Sequence, residues 1–311
     1  MGVTIKSPVG GDGAVDVDRR RQLVHRTALV TAVVSLLPIG LGSLVTTLGA
    51  GMAFLDWPSS DGHGMLAYPW LRSSGDKFVE HGHRLAGVLI GLCSVVLCGI
   101  AWAHSLDRAV RIACSLVLAG VVVQGLIGGL RVRLDRSTVA LAHSVFGCLV
   151  FVALWMTAEM TRLSRASVNC EAHRTVSRSI LAVIFPSACL SQYVIGGFVR
   201  HLGVFVDWHL AGAVLVTLCS IWVVCDSLRS GSLDLRTAGR WVLLSVLIQV
   251  LVGLMVWGTK FGFPPIGVVA VHHSLLQITA RSLHTITGMS VVATAVYWSV
   301  VVLRSRRAMV A

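Results

Sequence analysis

The chain has 311 residues, of which 55% are hydrophobic and only 13% are charged, and its mean hydropathy is +0.80. Because soluble domains carry roughly twice that share of charged residues, these values exclude a soluble globular protein. The formal net charge of +12 is not gathered into a basic patch with aromatic or motif context, so the sequence does not support nucleic acid as a partner.

Apolar runs with few charges recur along the whole chain. Each has about 20 residues, the length at which a helix crosses a bilayer. Since a spanning backbone must satisfy its own hydrogen bonds and no alternating barrel strands are visible, the runs predict an all-α integral membrane protein in contact with lipid. Eight transmembrane helices are predicted, at 27–48, 85–103, 112–130, 137–158, 179–199, 208–225, 241–259 and 282–303.

Lys and Arg are unevenly distributed between the two sets of loops. Most of them fall in alternate segments that begin with residues 1–26 and end with residues 304–311, and the positive-inside rule assigns such segments to the cytoplasm. The sequence therefore predicts both termini inside. Residues 1–26 are polar and are predicted to form a disordered cytoplasmic tail, and residues 304–311 form a second cytoplasmic tail.

The polar stretch 161–178 is predicted to be a cytoplasmic linker between two halves, residues 27–160 and 179–303. The halves share several features in the same order, and each contains an even number of spans. This predicts two pseudo-repeated four-helix bundles, related by an axis along the membrane normal. The shared features are Pro38 and Pro186, Asp56-Trp57 and Asp207-Trp208, and the stretches 124–128 and 249–253.

Four histidines stand at matching places, at the start of every second span. An imidazole in a membrane is costly unless it has a ligand or partner, and a glycine one helical turn after each one leaves room for a flat group. Because these spans all run inward, two histidines can face each other within each half near the outer face. The residues alone predict two bis-histidine haem sites, with iron as the metal. The four are His83, His143, His209 and His284.

One carboxylate precedes the first of these histidines, because Glu80 lies three residues before His83 on the same helical face. Beside a haem it can act as a general base or proton carrier; alternatively, it only complements the helix dipole. Arginines at the outer ends of spans are candidate partners of haem propionates, with snorkelling to the interface as the alternative. They are Arg84, Arg131 and Arg200.

Several stretches resemble a known family. Residues 46–52 read TTLGAGM, residues 56–58 read DWP, and residues 80–84 read EHGHR. Together with QGLIG at 124–128 and the four histidines, they resemble the haem A synthases, membrane oxidases that convert haem O to haem A for cytochrome oxidase. The resemblance extends from the first predicted span to the eighth.

The resemblance implies a role for each site. In the C-terminal half (179–303), His209 and His284 would ligate a resident haem b. In the N-terminal half (27–160), His83 and His143 would hold the substrate, haem O. Glu80 would be catalytic in the successive hydroxylation of a ring methyl group, which gives a gem-diol that loses water to a formyl group.

The resemblance also implies a setting for this reaction. The location would be the bacterial cytoplasmic membrane or an organellar inner membrane. Electrons would come from a donor that the sequence does not identify. Haem O synthase is a candidate partner, and the sequence does not decide between a monomer and a homo-oligomer. The chain departs from the family in lacking a cysteine pair in the first outer loop, and in having Thr47 where the family often has an arginine.

Three other functions fit part of the pattern. A di-haem b-type electron carrier, such as a quinol-oxidising subunit, needs the same histidine pairs but no carboxylate, whereas Glu80 precedes only one of them and Val206 stands at the equivalent place before His209. A transporter would use the prolines as helix breaks, although such kinks are common without transport. A non-haem di-iron oxygenase would need clustered histidines. It would draw on His81, His83, His272 and His273. Apart from His83, these histidines and His63 have no other assigned role.

Overall fold

The computed structural model describes residues 11–104, 107–163, 176–262, 265, 267 and 269–304. The predicted linker 161–178 and the tail 304–311 lie largely outside the described residues. Within the described ranges the chain forms nine α-helices and one short 3-10 helix, Trp70–Arg72. The α-helices are α1 (Gly11–Val34), α2 (Leu36–Leu48), α3 (Gly75–His104), α4 (Arg108–Leu134), α5 (Ser137–Leu163), α6 (Val176–Leu202), α7 (Val206–Leu228), α8 (Leu233–Phe261) and α9 (Leu275–Arg304).

Eight helical segments among the described residues are long and apolar enough to cross a membrane. The prediction of an all-α integral membrane protein with eight spans is therefore confirmed. Helices α1 and α2 together form the first span, Asp16–Leu48, and each later helix forms one span. Helix α1 already begins at Gly11, so the prediction of a disordered tail is wrong for residues 11–26, where the helix continues beyond the apolar run.

The two prolines inside spans have different effects. Pro38 has no N–H to donate to the carbonyl of Val34, and the first span is interrupted at Ser35, between α1 and α2. Pro186 lies inside α6, which continues past it. The interruption makes α2 a separate short helix, and this helix carries Gly42 against the ring of His83.

Each half of the chain is a ring of four spans. In the first half α2 packs on α3, α3 on α4, α4 on α5, and α1 on α5; in the second, α6 packs on α7, α7 on α8, α8 on α9, and α6 on α9. Helix α9 also packs on α2 and α5, and 61% of its apolar window is buried against 22–33% in the other spans. Helix α9 therefore joins the halves. The repeat relation between them and the orientation of both termini stay predictions.

A buried tryptophan holds α9 in the second half. Trp298 is fully buried, meets Phe185 of α6 edge to face at 6.0 Å between ring centroids, and donates from its indole N–H to Oγ of Ser227 on α7 at 2.8 Å. A buried indole avoids a desolvation cost when its N–H has a partner. This contact fixes α9, which carries His284, against the two helices beside it.

Candidate functional site

The four predicted histidines come together as two pairs. His83 on α3 faces His143 on α5, with ring centroids 6.3 Å apart and ring planes at 87°. His209 on α7 faces His284 on α9, with centroids 6.2 Å apart and planes at 86°. Because both the separations and the angles are nearly equal, each half builds the same two-imidazole arrangement.

The spacing of each pair fits one metal ion between two imidazoles. A metal–nitrogen bond of about 2 Å, plus roughly 1 Å from each nitrogen to its ring centre, places two opposed rings about 6 Å apart. In the described part of the chain, no group of three or more His, Cys, Asp or Glu could hold a metal ion, so each pair offers only two ligands. Two axial imidazoles are a ligand set of haem iron, whose remaining ligands come from the porphyrin. The donor set therefore fits haem.

Each of these imidazoles packs against a glycine of the preceding span. A Cβ added to these glycines would lie 2.7–3.2 Å from the ring carbon Cε1 of the facing histidine, so a larger residue would displace the ring. The four contacts are Gly42 with His83, Gly128 with His143, Gly196 with His209, and Gly253 with His284. The position of every ring is thus set by the backbone of a neighbouring helix.

The glycines one turn after the histidines have other neighbours. At three of the four places a Cβ would meet the side chain of a glutamine, whereas at Gly87 nothing lies within 4 Å. The three contacts are Gly147 with Gln124, Gly212 with Gln192, and Gly288 with Gln249. The room that the sequence suggested for a flat group is therefore open at Gly87 and bordered by an amide at the other three.

A cavity of about 370 Å³ lies beside the first histidine pair, within the range of about 300–1,000 Å³ that is typical of small-molecule sites. His83, Glu80 and Gly87 line it from α3, and His143 lines it from α5. Helix α6 of the second half also contributes side chains, Arg200 and His201. The two halves together therefore enclose the space next to this pair.

Glu80 fixes to α3 the loop between α2 and α3, residues 49–74, which is called the outer loop after its predicted side of the membrane. Its Oε2 accepts from the backbone N–H of Ala53 at 2.7 Å and of Phe54 at 3.3 Å, and its Oε1 accepts from Nη2 of Arg84 at 2.7 Å. The side chains of Glu80 and Arg84 are only 4% and 7% exposed. Glu80 is thus more than a charge at a helix end, because it holds the loop and also borders the cavity.

Two of the predicted arginines also bind the outer loop. Arg84 donates from Nη1 to the carbonyl oxygens of Asp56 at 2.9 Å and Ser59 at 2.7 Å. Arg131, in the last turn of α4, donates from Nη1 to the carbonyl oxygen of Gly51 at 2.9 Å and borders the cavity. Both guanidinium groups point inward to the loop backbone, so neither snorkels.

Arg200 links the two halves at the same end of the molecule. Its Nη2 donates to the carbonyl oxygen of Ser43 at 2.8 Å and to Oγ1 of Thr47 at 2.9 Å, both on α2. Its Nη1 donates to Oγ1 of Thr285 at 2.7 Å and to the carbonyl oxygen of Arg281 at 3.1 Å, both on α9. Thr47, which stands where the family often has an arginine, therefore accepts a hydrogen bond from an arginine of another helix.

Asp56 organises the tip of the outer loop. Its carboxylate accepts from the backbone N–H groups of Gly62 at 2.9 Å and Asp61 at 3.0 Å. The hydrogen bond from Gly62, followed by one from the Ser59 side chain, lowers the pKa of Asp56 from 3.8 to about 2. The carboxylate therefore stays ionised over the neutral range and keeps the turn closed.

His81 on α3 and three histidines of the loops, His63, His272 and His273, lie apart from the two pairs. His81 is fully buried, and its Nδ1 lies 3.0 Å from Oγ of Ser60, so it is part of the loop's own packing. His63 is exposed, as are His272 and His273 in the last outer loop. Since no three-residue metal group includes them, the arrangement that a di-iron oxygenase would need is not built by the described residues.

Sequence reasoning missed two kinds of residue at the site. His201 lines the cavity, and its Nε2 is buried without a hydrogen-bond partner; the only signal for it was its position next to Arg200 in the last turn of α6. The glutamines beside the rings were noticed at 124 and 249 only as markers of a repeat. Their spacing of four residues before a glycine, which Gln192 shares, was the signal that could have found all three.

Comparison with known proteins finds a similarity to one family over part of the chain. Residues 72–206 match the model of the COX15-CtaA family, described as cytochrome oxidase assembly protein. This region contains Glu80, His83 and His143 and ends before His209. The resemblance to the haem A synthase family that was predicted from the sequence is therefore confirmed.

Individual relatives match parts of the chain. A haem A synthase of Nitrosospira multiformis is 30% identical over 155 residues, which cover 46% of this chain and 42% of that protein. One of Methylobacterium sp. (strain 4-46) is 33% identical over 132 residues, covering 39% and 34%. A protoheme IX farnesyltransferase of Halobacterium salinarum is 38% identical over 89 residues, covering 28% and 19%. The chain thus spans less than half the length of each of these relatives.

Proposed function

Because this chain is similar to the haem A synthase family, with residues 72–206 matching the family model, we propose that it is an oxidoreductase that converts haem O to haem A. It oxidises a ring methyl group of haem O to a formyl group, for use in cytochrome oxidase assembly. The observation that carries the proposal is the His83–His143 pair beside a cavity of about 370 Å³ that a buried carboxylate also lines.

The two histidine pairs have different roles in this proposal. His83 and His143, in the N-terminal half (27–160), hold the substrate haem O against the cavity. His209 and His284, in the C-terminal half (179–303), hold a resident haem b. When bound, haem b supplies electron transfer at its iron; the side chains of the protein supply ligands, orientation and a path for protons.

Glu80 is the catalytic carboxylate of the proposal. Glu80 borders the cavity and lies on the same helix as His83, which holds the substrate haem in this proposal. Successive hydroxylation and the loss of water from the gem-diol require protons to move, and a buried carboxylate at the cavity wall can accept and return one at an oxygen. The ion pair with Arg84 and the two backbone N–H groups keep Glu80 in position for this role.

Arginines of the outer ends bind the propionates of the haems in this proposal. Arg131 and Arg200 border the cavity, and Arg84 lies beside Glu80. A guanidinium suits a carboxylate because its fork can donate two hydrogen bonds.

Both termini face the cytoplasm in this proposal, so the haem sites lie near the outer face of a bacterial cytoplasmic membrane or an organellar inner membrane. The substrate comes from a haem O synthase, and electrons come from a separate donor.

One experiment tests the function directly. The protein is co-expressed with a supply of haem O and purified, and its haems are extracted, separated by chromatography and identified by mass. Haem b together with haem A or a hydroxylated intermediate is the expected result. Recovery of haem b alone, at two per chain despite available haem O, would instead favour a di-haem electron carrier, which the equal geometry of the two pairs also suits.

A further inference from the structure

A glutamine four residues before a glycine recurs in three of the spans that precede a histidine-bearing helix. The glycine of each such motif is the one that packs against an imidazole ring. The motifs are Gln124 with Gly128, Gln192 with Gly196, and Gln249 with Gly253. In the first span the glycine is Gly42, and the place of the glutamine is taken by Pro38.

Each of the three glutamines contacts the histidine beside its glycine. Nε2 of Gln124 lies 3.2 Å from Nε2 of His143, and it also donates to the carbonyl oxygen of that residue at 3.0 Å. Nε2 of Gln249 lies 3.3 Å from Nε2 of His284. In every case one ring nitrogen faces the amide, which leaves the other nitrogen for a ligand.

Gln192 repeats this contact at His209. Its Nε2 lies 3.1 Å from Nδ1 of His209 and donates to the carbonyl oxygen of that residue at 2.7 Å. Both histidines of the second pair, His209 and His284, therefore have a glutamine. In the first pair only His143 has one.

His83 differs from the other three. No amide contacts its ring, because Pro38 has no polar side-chain group, and the partner of the ring on the first span is the backbone of Pro38. The glycine one turn later, Gly87, has open space where its three counterparts meet an amide. The structure therefore repeats the glycine contact four times and the amide contact three times.

The amides can serve a coordinated imidazole. A ligating histidine keeps a proton on its second nitrogen and donates it to an acceptor, which fixes the orientation of the ring and strengthens it as a ligand. The Oε1 atoms of Gln124 and Gln192 are buried without a hydrogen-bond partner, so a half-turn of either amide would present an acceptor oxygen to that N–H. Oε1 of Gln249 already accepts from Oγ1 of Thr287.

We propose that these three glutamines are positioning residues for haem ligation, and that His83 is the exchangeable ligand because it lacks one. This rests on the proposed function and deepens it. A pair held by Gln192 and Gln249 retains its haem as a cofactor must. The pair that contains His83 releases its haem after oxidation, as a site for substrate and product must.

The test measures how fast bound haem leaves. Purified full-length protein is loaded with iron protoporphyrin IX and mixed with excess apomyoglobin, which captures released haem with a change in absorbance. We expect a fast and a slow phase, and His83→Ala should remove the fast one. Gln192→Met keeps the length of the side chain but not the amide; it should speed the slow phase about tenfold and raise the midpoint potential of that haem.

The first span offers the reciprocal variant with a matched control. Pro38→Gln restores the missing amide, and Pro38→Leu removes the proline without adding one. We expect the fast phase to slow about tenfold in Pro38→Gln relative to Pro38→Leu. Equal release from these two variants, or an unchanged potential in Gln192→Met, would overturn the inference while leaving the haem function intact.

The proposed function fails in a different way. If the wild-type protein takes up no iron protoporphyrin IX, both the function and the role of the glutamines are wrong. If it takes up haem but the alanine variants of all four paired histidines release it at the wild-type rate, the pairs are not the ligands. Only the comparison of amide variants, in protein that binds haem through the histidines, bears on the glutamines alone.

Discussion

The carboxylate of Glu80 forms an ion pair of 2.7 Å with the guanidinium of Arg84, one helical turn further along α3, and both side chains are buried. Removing one partner of a buried pair is costly because the other charge is left without compensation. Glu80→Gln is therefore expected to destabilise the protein by about 3 kcal/mol, visible as a lower thermal midpoint, and to stop haem A formation.

Arg84→Met separates the structural from the chemical effect. It breaks the same ion pair but keeps the carboxylate, so it should destabilise the protein by a similar amount and reduce product formation at saturating haem O far less than Glu80→Gln does. The two variants are compared by thermal midpoint and by haem A produced per chain. Equal loss of product in both would mean that Glu80 acts only by holding the outer loop.

His284 and His143 test the division of roles between the pairs. His284→Ala should remove the absorbance of the resident low-spin haem from the purified protein, because one axial ligand is lost. His143→Ala should leave that absorbance in place and abolish binding of added haem O. Absorption spectra and haem content per chain are the measurements, and a full resident signal in His284→Ala would contradict the assignment.

Arg200 holds α2 and α9 together through five acceptors. Arg200→Leu would leave these acceptors without a donor, and the buried ones should lower the free energy of unfolding by about 2 kcal/mol. Arg200→Lys should restore part of this stability. Arg133→Leu is the control, because Arg133 is exposed on α4. Thermal unfolding would refute this role for Arg200 if both leucine variants melted together.

The eight spans could be predicted from the sequence because bilayer thickness dictates the length of an apolar run. The histidines could be predicted because an imidazole is rare within an apolar membrane span and marks a functional site there. The start of α1 could not, since the helix continues into polar residues from Gly11, and no hydropathy signal marks a helix outside the apolar run.

Contacts between helices were the part that the sequence did not reveal. That His83 packs on Gly42 and that Arg200 reaches Thr47 depends on which spans are neighbours, and hydropathy carries no information on this. The arginines were expected to meet ligand carboxylates, and the structure adds main-chain carbonyls as their protein partners. The loop-holding contacts of Glu80 with Ala53 and Phe54 were hidden for the same reason.

Asp56 predicts a pH dependence of the outer loop. Its folded-state pKa of about 2 lies below the usual 3.8, so its contribution to loop stability is fully present above pH 4 and is lost as the pH falls through about 2. Hydrogen exchange at residues 56–62, measured against Asp56→Asn, should show protection in the wild type that disappears over this range. The variant should lack that protection at every pH; matching curves would show that the carboxylate does not hold the turn.

Gly42 and Gly40 lie one half-turn apart on α2 and face different surroundings. A Cβ on Gly42 would lie 2.7 Å from Cε1 of His83, whereas a Cβ on Gly40 would meet nothing within 4 Å. Gly42→Ala should displace the imidazole and weaken haem O binding by at least about tenfold, measured by titration of the absorbance change. Gly40→Ala should bind normally and be slightly more stable, because alanine favours a helix by up to about 1 kcal/mol over glycine. Equal affinities in the two variants would show that the ring of His83 does not depend on the glycine it packs against.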